Sequence, residues 1–260
     1  MIHRFAVLPS TNDEALRLAA AGASAGTAVV ADAQTAGRGR AGHAWASPPG
    51  VALYLSVVLR PRLPLERLPL ATLACGIAVA EAVRAETGLP AGLKWPNDVL
   101  VRDRKCAGLL CEGAPPAVVA GIGVNVNTPA AALPVRPIFP ATSLLLESGA
   151  PQDREALLAA ILDGVARWIA RLEAPDGPDA VVARFNALDA LRGRAVAVDL
   201  PAGTVARGTA LGCAPSGALL LSPSPAPPFA PGDDPSASGG DAAAPGGPRE
   251  ILAGSVSLVP

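Results

Sequence analysis

The chain has 260 residues, enough for one sizeable domain and a smaller one. Its formal net charge of -1 excludes nucleic-acid binding driven by the overall field and leaves room only for a local basic patch. The four cysteines, Cys75, Cys106, Cys111 and Cys213, form no C-x-x-C pair, and His3 and His43 are too few and too scattered for a zinc site. They read as free thiols of a reducing compartment. Half the residues are apolar but only 3% are aromatic, so the core has to be built from Leu, Val, Ile and Ala. No secretory signal opens the sequence. The longest apolar run, Leu70 to Val83, carries Glu81 and falls short of the ~20 residues that span a bilayer. A soluble cytoplasmic protein with no membrane partner is expected.

In chain order, Ile2 to Leu8 reads as a strand, and Thr11 with Glu14 as a capping box opening a helix that Gly22 stops. Thr27 to Asp32 is a β-branched run. Ala33 to Gly50 lacks periodicity and is rich in Gly and Pro, so it reads as a long loop, and loops of that length are usually functional. Val51 to Leu59 is a strand, and Leu65 to Thr87 a buried helix ending at Gly88. Leu93 to Val101 and Cys106 to Glu112 form a hairpin around Arg102-Asp103-Arg104, and Val118 to Val126 is a further strand. Asp153 to Leu172 places Leu157, Ile161, Val165, Trp168 and Leu172 on one helical face, and a second helix runs from Pro178 to Leu191. Short strands then follow at Arg194 to Leu200, Val205 to Leu211, Ala218 to Leu221 and Glu250 to Leu258, the pattern of a small β-barrel. Pro223 to Pro248 is dominated by Pro, Ala, Gly, Ser and Asp and is expected to be a disordered insertion.

Three stretches carry chemistry. The first is Gln34-Thr35-Ala36-Gly37-Arg38-Gly39-Arg40, continuing to Trp45. Its glycines let successive N–H groups turn toward an anion, and its arginines offer planar bidentate donors. From the residues alone it reads as well as a solvated loop or a weak nucleic-acid patch. The second is Lys94-Trp95-Pro96-Asn97-Asp98 with Arg104-Lys105-Cys106-Ala107-Gly108. Pro96 holds Trp95 extended and so fixes the direction of Asn97 and Asp98, and Asp98 can accept a donor or hold Mg²⁺. Lys105 enters a strand of small and apolar residues, where a partly desolvated cation suits stabilisation of negative charge; a solvated surface turn is the competing reading. The third is Gly121-Ile122-Gly123-Val124-Asn125-Val126-Asn127. Glycines inside a β-branched strand mark a bulge or a close-approaching partner, and Asn125 offers the donor and acceptor that adenine recognition needs. No G-x-G-x-x-G precedes a helix, so this is not a dinucleotide fingerprint.

In this order, with Ser10-Thr11-Asn12 ahead of them, the stretches closely resemble the biotin protein ligase family, which shares a fold with lipoate ligases. The resemblance covers most of residues 1 to 150 and extends weakly beyond. It implies an α+β fold, a mixed sheet flanked by helices over 1–190, with a small SH3-like β-barrel over 191–260. It implies biotin and ATP as substrates, Mg²⁺ as cofactor, and transfer of biotin through biotinyl-5′-AMP to a lysine of a carboxylase's biotin carboxyl carrier domain. By the same resemblance Ser10, Thr11, Asn12, Gln34 and Gly108 bind biotin. Gly37, Arg38, Gly39 and Arg40 close over the carboxylate and phosphates, and Trp45 anchors the closed loop. Asn97, Asp98 and Asn125 lie at the nucleotide, Asp98 also at the metal, and Phe139 supplies an aromatic wall. Lys105 is the principal catalytic cation, touching both substrates, with Arg40 beside it. Ala41 and His43 stand where relatives often carry arginine or lysine, which weakens the loop's charge. Some relatives carry an N-terminal helix-turn-helix; no room for one is seen before Ser10, so operator binding is not expected. A homodimer is left open. The rival readings are a lipoate–protein ligase and a non-catalytic biotin sensor or nucleic-acid binder.

Overall fold

The structure, a computed structural model, describes residues 1–114, 116–135, 139–201, 203–223 and 248–258. A seven-stranded mixed sheet is built from β1 (Ile2–Leu8), β2 (Ala28–Gln34), β3 (Leu53–Leu59), β4 (Ala91–Lys94), β5 (Asp98–Val101), β6 (Arg104–Ala114) and β7 (Ala117–Val124). Its spatial order is β1-β2-β3-β7-β6-β5-β4. Only β1 and β2 run parallel, joined by helix α1 (Thr11–Ala20); the remaining pairs are antiparallel.

The central strands are apolar on both faces because both faces are covered. Successive strand residues point to opposite sides, and the packing follows that period. Ala28, Val30, Leu55, Val57, Val118 and Ala120 join the large core, while Val29, Val58 and Val119 pack with Ala15 and Ala19 of α1. The large core is filled by α2 (Pro69–Thr87), a helix apolar nearly all round, with α4 (Arg154–Leu172) and α5 (Gly177–Leu188) against it. By length and composition α2 could pass for a membrane span, but it is buried inside the protein. Gly88 at φ 70 ends it, as expected. Asp153 caps α4 by accepting from the amides of Glu155 and Ala156.

A second, antiparallel sheet of β8 (Ala195–Asp199), β9 (Val205–Cys213), β10 (Leu219–Pro223), β11 (Arg249–Ile251) and β12 (Ser255–Leu258) has the order β11-β10-β9-β8-β12. This is the expected fold class: a mixed, helix-flanked sheet with a small SH3-like β module. Buried Trp95 donates its indole N–H to the Gly217 carbonyl at 3.0 Å, and Asn186 pairs both ways with the Cys213 backbone. The expected disordered insertion falls, for residues 224–247, outside the described residues.

Four local expectations change. The capping box does not form: Ser10 is the N-cap, Thr11 turns its hydroxyl to Gln34 and Ser56, and Glu14 pairs with Arg17. A buried hydrogen-bond network outcompetes the local cap. The stretch Leu93 to Val101 is two strands, with Trp95-Pro96-Asn97 turning between Lys94 and its register partner Asp98. The loop from Ala33 to Gly50 is folded: β2 continues to Gln34, and beyond it Gly39 donates to His43 and Trp45 to Gly37. Glu250 to Leu258 breaks into two strands. A short helix that the sequence analysis missed, α3 (Leu144–Ser148), is capped by Ser143.

Candidate functional site

The α1 side of the sheet carries a bare patch. Val119, Gly121 and Gly123 alternate onto that face, and the register pairs Gly123 with Gly108 and Gly108 with Asp98. The close-approaching partners anticipated for these glycines are protein side chains. A Cβ at Gly121 would collide with the Asn12 amide, and one at Gly123 would lie 2.5 Å from the Trp45 ring. One at Gly108 would meet Trp45 at 3.0 Å and the Lys105 ammonium at 3.1 Å.

Above this floor opens a cavity of about 460 Å³. The structure brings Ser10, Thr11, Asn12, Gln34, Arg38, Gly39, Arg40, Trp45, Asn97, Asp98, Lys105 and Gly108 to its wall. Gly37, buried just outside it, packs so tightly under Trp45, Ser47 and Gln34 that no Cβ would fit. Asn125 lies in a small adjoining recess with Trp45, Lys105, Leu133 and Pro134, and its Nδ2 donates to the Thr142 carbonyl at 3.0 Å. Phe139 is buried beneath Lys94, its ring 5.3 Å from that ammonium, and lines neither space.

The polar wall is wired internally. Gln34 Oε1 accepts from the Thr11 amide and hydroxyl at 2.9 and 3.2 Å, and its Nε2 donates to Ser47. Asn12 donates to the Leu110 carbonyl and to Glu112, and its Oδ1 accepts from buried Ser56 at 2.6 Å. Both ends of the Asn12 amide are thus engaged within the protein. Arg38 turns its guanidinium onto Asp13 and Glu112, and Arg40 reaches Asn97 Oδ1 at 3.3 Å.

The charged centre is Asp98, which receives Lys105 on one oxygen at 2.5 Å and Lys94 on the other at 3.1 Å. Burial pushes the Asp98 carboxyl up, but the two ammonium groups outweigh it and hold it below the usual carboxylate range. Two cations against one buried anion leave a net positive charge on the cavity wall, suited to an anionic ligand. Lys105 also lies 5.4 Å from the Trp45 ring. Lys94 was quoted in the motif without a role of its own; its register opposite Asp98 could be found only once the turn between them was recognised.

Sequence reasoning missed a second contribution. Asp199 to Pro201, in the β8–β9 turn, and Ala253 to Ser255, in the β11–β12 turn, reach the same cavity. Neither turn has distinctive chemistry. The four cysteines are free, and Cys106 is buried with its thiol pushed up to about 12, consistent with packing rather than reactivity. Among the described residues no group of three or more His, Cys, Asp or Glu side chains is placed to hold a metal ion. A metal held by protein alone does not fit: both Asp98 oxygens are taken by Lys105 and Lys94, and Asp199 is the other carboxylate on the cavity wall, so a metal would have to come in on a triphosphate.

Residues 4–128 match the Biotin/lipoate A/B protein ligase family, the class to which the seven-stranded sheet and its flanking helices correspond. Among individual relatives, a biotin–[acetyl-CoA-carboxylase] ligase from Mycobacterium tuberculosis is 37% identical over 82% of this chain and 79% of its own. The chain belongs to the biotin protein ligase family. A bifunctional ligase/repressor BirA from Bacillus spizizenii is 40% identical over 60% of this chain, and the match spans about half of that relative's length. Among solved structures, a biotin protein ligase from Aquifex aeolicus in complex with biotin and ATP superposes with a TM-score of 0.79 at 28% identity, covering 99% of both chains.

Proposed function

We propose that this chain is an ATP-dependent ligase that forms biotinyl-5′-AMP and transfers the biotinyl group to one lysine of the biotin carboxyl carrier domain of a carboxylase. The observation that carries this reading is the Lys94–Asp98–Lys105 cluster beside a glycine floor, in one cavity with the Thr11–Gln34 network. It is supported by the relatives' activities. We take residues 1–190 as the catalytic domain and 191–260 as the small β domain.

Biotin's ureido end meets Ser10, Thr11 and Gln34, and its ring lies by Gly108 and Trp45. Its carboxylate oxygen attacks the α-phosphorus of ATP, and pyrophosphate leaves. Negative charge grows on the phosphoryl oxygens, where Lys105 and Arg40 stabilise and align it. Lys94 shares Asp98 with Lys105, which keeps both ammonium groups oriented toward the cavity wall. Asn125 faces the adenine. Asp98 stands where a Mg²⁺ carried on the triphosphate would come to the cavity wall, and such an ion would neutralise phosphate charge there. The loop and Arg40 cover the adenylate and limit access of water. The neutral amine of the acceptor lysine then attacks the acyl carbon, the C–O bond to AMP breaks, the amine nitrogen gives up one proton to solvent, and an amide forms with AMP as the leaving group. No covalent enzyme nucleophile is required.

Pyrophosphate release by purified protein with Mg²⁺ and ATP tests the reading. Release with biotin and not with lipoate is expected. Release with lipoate alone reassigns the substrate, and biotin binding without release overturns the catalytic role.

A further inference from the structure

The cavity loop is attached to the rest of the protein by very little. Residues 40–44 are exposed, and the hydrogen bonds Gly39 to His43 and Trp45 to Gly37 are internal to the loop. Among the described residues its outward side-chain ties are the Trp45 ring, which lies on Gly108 and Gly123 and 5.4 Å from the Lys105 ammonium, the Arg40–Asn97 contact at 3.3 Å, and the Arg38 guanidinium. Arg38 is the strongest of these. It grips Asp13 with two parallel bonds of 2.8 and 2.6 Å and reaches Glu112 at 3.1 Å. Asp13 belongs to α1 and Glu112 to β6, so one side chain clamps the loop to two separate elements. Glu112 is itself held by the Asn12 amide at 2.7 Å, and Asn12 by buried Ser56. The clamp is therefore anchored in the sheet. Two carboxylates against one guanidinium leave a net negative charge there, which disfavours a further anion at this side chain. Asp13 and Glu112 lie outside the cavity wall.

We propose that Asp13 and Glu112 are positioning residues that act through Arg38, latching the 37–45 loop across the cavity so that the activated acyl intermediate is retained. The proposal rests on the ligase reading given above. A bare surface ion pair contributes little, but a bidentate pair in a three-member network that ties down an otherwise exposed loop contributes more. Hydrogen bonding from Arg38 holds the Asp13 carboxyl below its usual range, so the latch stays charged at neutral pH.

The test preforms the adenylate on the full-length protein from biotin, Mg²⁺ and ATP, removes pyrophosphate enzymatically, and follows adenylate release without acceptor. Asp13→Asn and Glu112→Gln should each speed release about three- to fivefold and leave single-turnover adenylate formation within about twofold. Asp13→Glu should restore slow release. Raising the salt concentration should speed release from the unaltered protein and have less effect on the double variant. Unchanged release in the double variant, or release and formation damaged in equal measure, overturns the latch. If the unaltered protein makes no adenylate, the ligase reading fails by itself, and amide hydrogen exchange of residues 38–45 in the ligand-free protein decides the latch. Faster exchange in the double variant supports it, and equal exchange overturns it.

Discussion

The two faces of the seven-stranded sheet have opposite uses. Toward α2 the strands present Leu55, Val57, Val118 and Ala120, all buried in the large core. Toward α1 the sheet presents Val58 and Val119 under the helix, Gly121 under its first turn at Asn12, then Gly123 and Gly108 under the Trp45 ring. One face accumulates apolar burial, which grows with every methylene. The other omits side chains so that a loop and a ligand can come to the backbone. A strand alternates its side chains, so stability and a binding floor can be written into one stretch of chain and altered independently.

That separation can be broken by mutation. The largest effect is expected for Lys105→Ala, which should slow adenylate formation by about a hundredfold to a thousandfold while biotin affinity changes little. Pyrophosphate bursts and calorimetric biotin titration read the two quantities, and equal losses would mean that Lys105 only binds. Leu55→Ala, on the opposite face, should cost about 2–5 kcal/mol in urea unfolding and leave biotin affinity intact. A lost affinity without lost stability would show that the faces are coupled. Gly123→Val forces a side chain into the space of the Trp45 ring and should weaken biotin binding by more than about tenfold, since nearly all displacement falls on the loop and not on the core.

The smallest effect concerns the junction between the sheets. Burial raises the Asp189 carboxyl to about 6 from 3.8, only partly offset by the Leu191 amide, and its Oδ2 has no partner among the described residues. The folded state therefore holds this proton more tightly than the unfolded chain. Its contribution to stability is full below about pH 4 and is lost as the pH rises through 6. Asp189→Asn should flatten that part of the stability–pH curve, measured by urea midpoints. An unchanged slope would place the responsible group elsewhere.

Much of the chain could be read in advance because its signals are local. Gly88 ends α2, Asp153 caps α4, and the period of α4 exposes its packing face. The motif residues were recognisable as a set by composition and order. The turn at Trp95-Pro96-Asn97 escapes a reading in which Pro96 only holds Trp95 extended, although Pro-Asn-Asp is itself a turn signal, and only pairing reveals that Lys94 faces Asp98. Thr11 looked like a cap because nothing in the sequence places Gln34 and Ser56 beside it.

By itself, then, the sequence determined the periodicities, the breaks, the glycines in β7 and the charged types that the site would contain. Tertiary structure decided which of those charges meet. Asp98 takes both Lys94 and Lys105, Arg38 turns to Asp13 and Glu112, and turns from the second sheet reach the cavity. Electrostatic pairing depends on distances of a few ångströms between residues far apart in the chain, and register and packing alone set those distances.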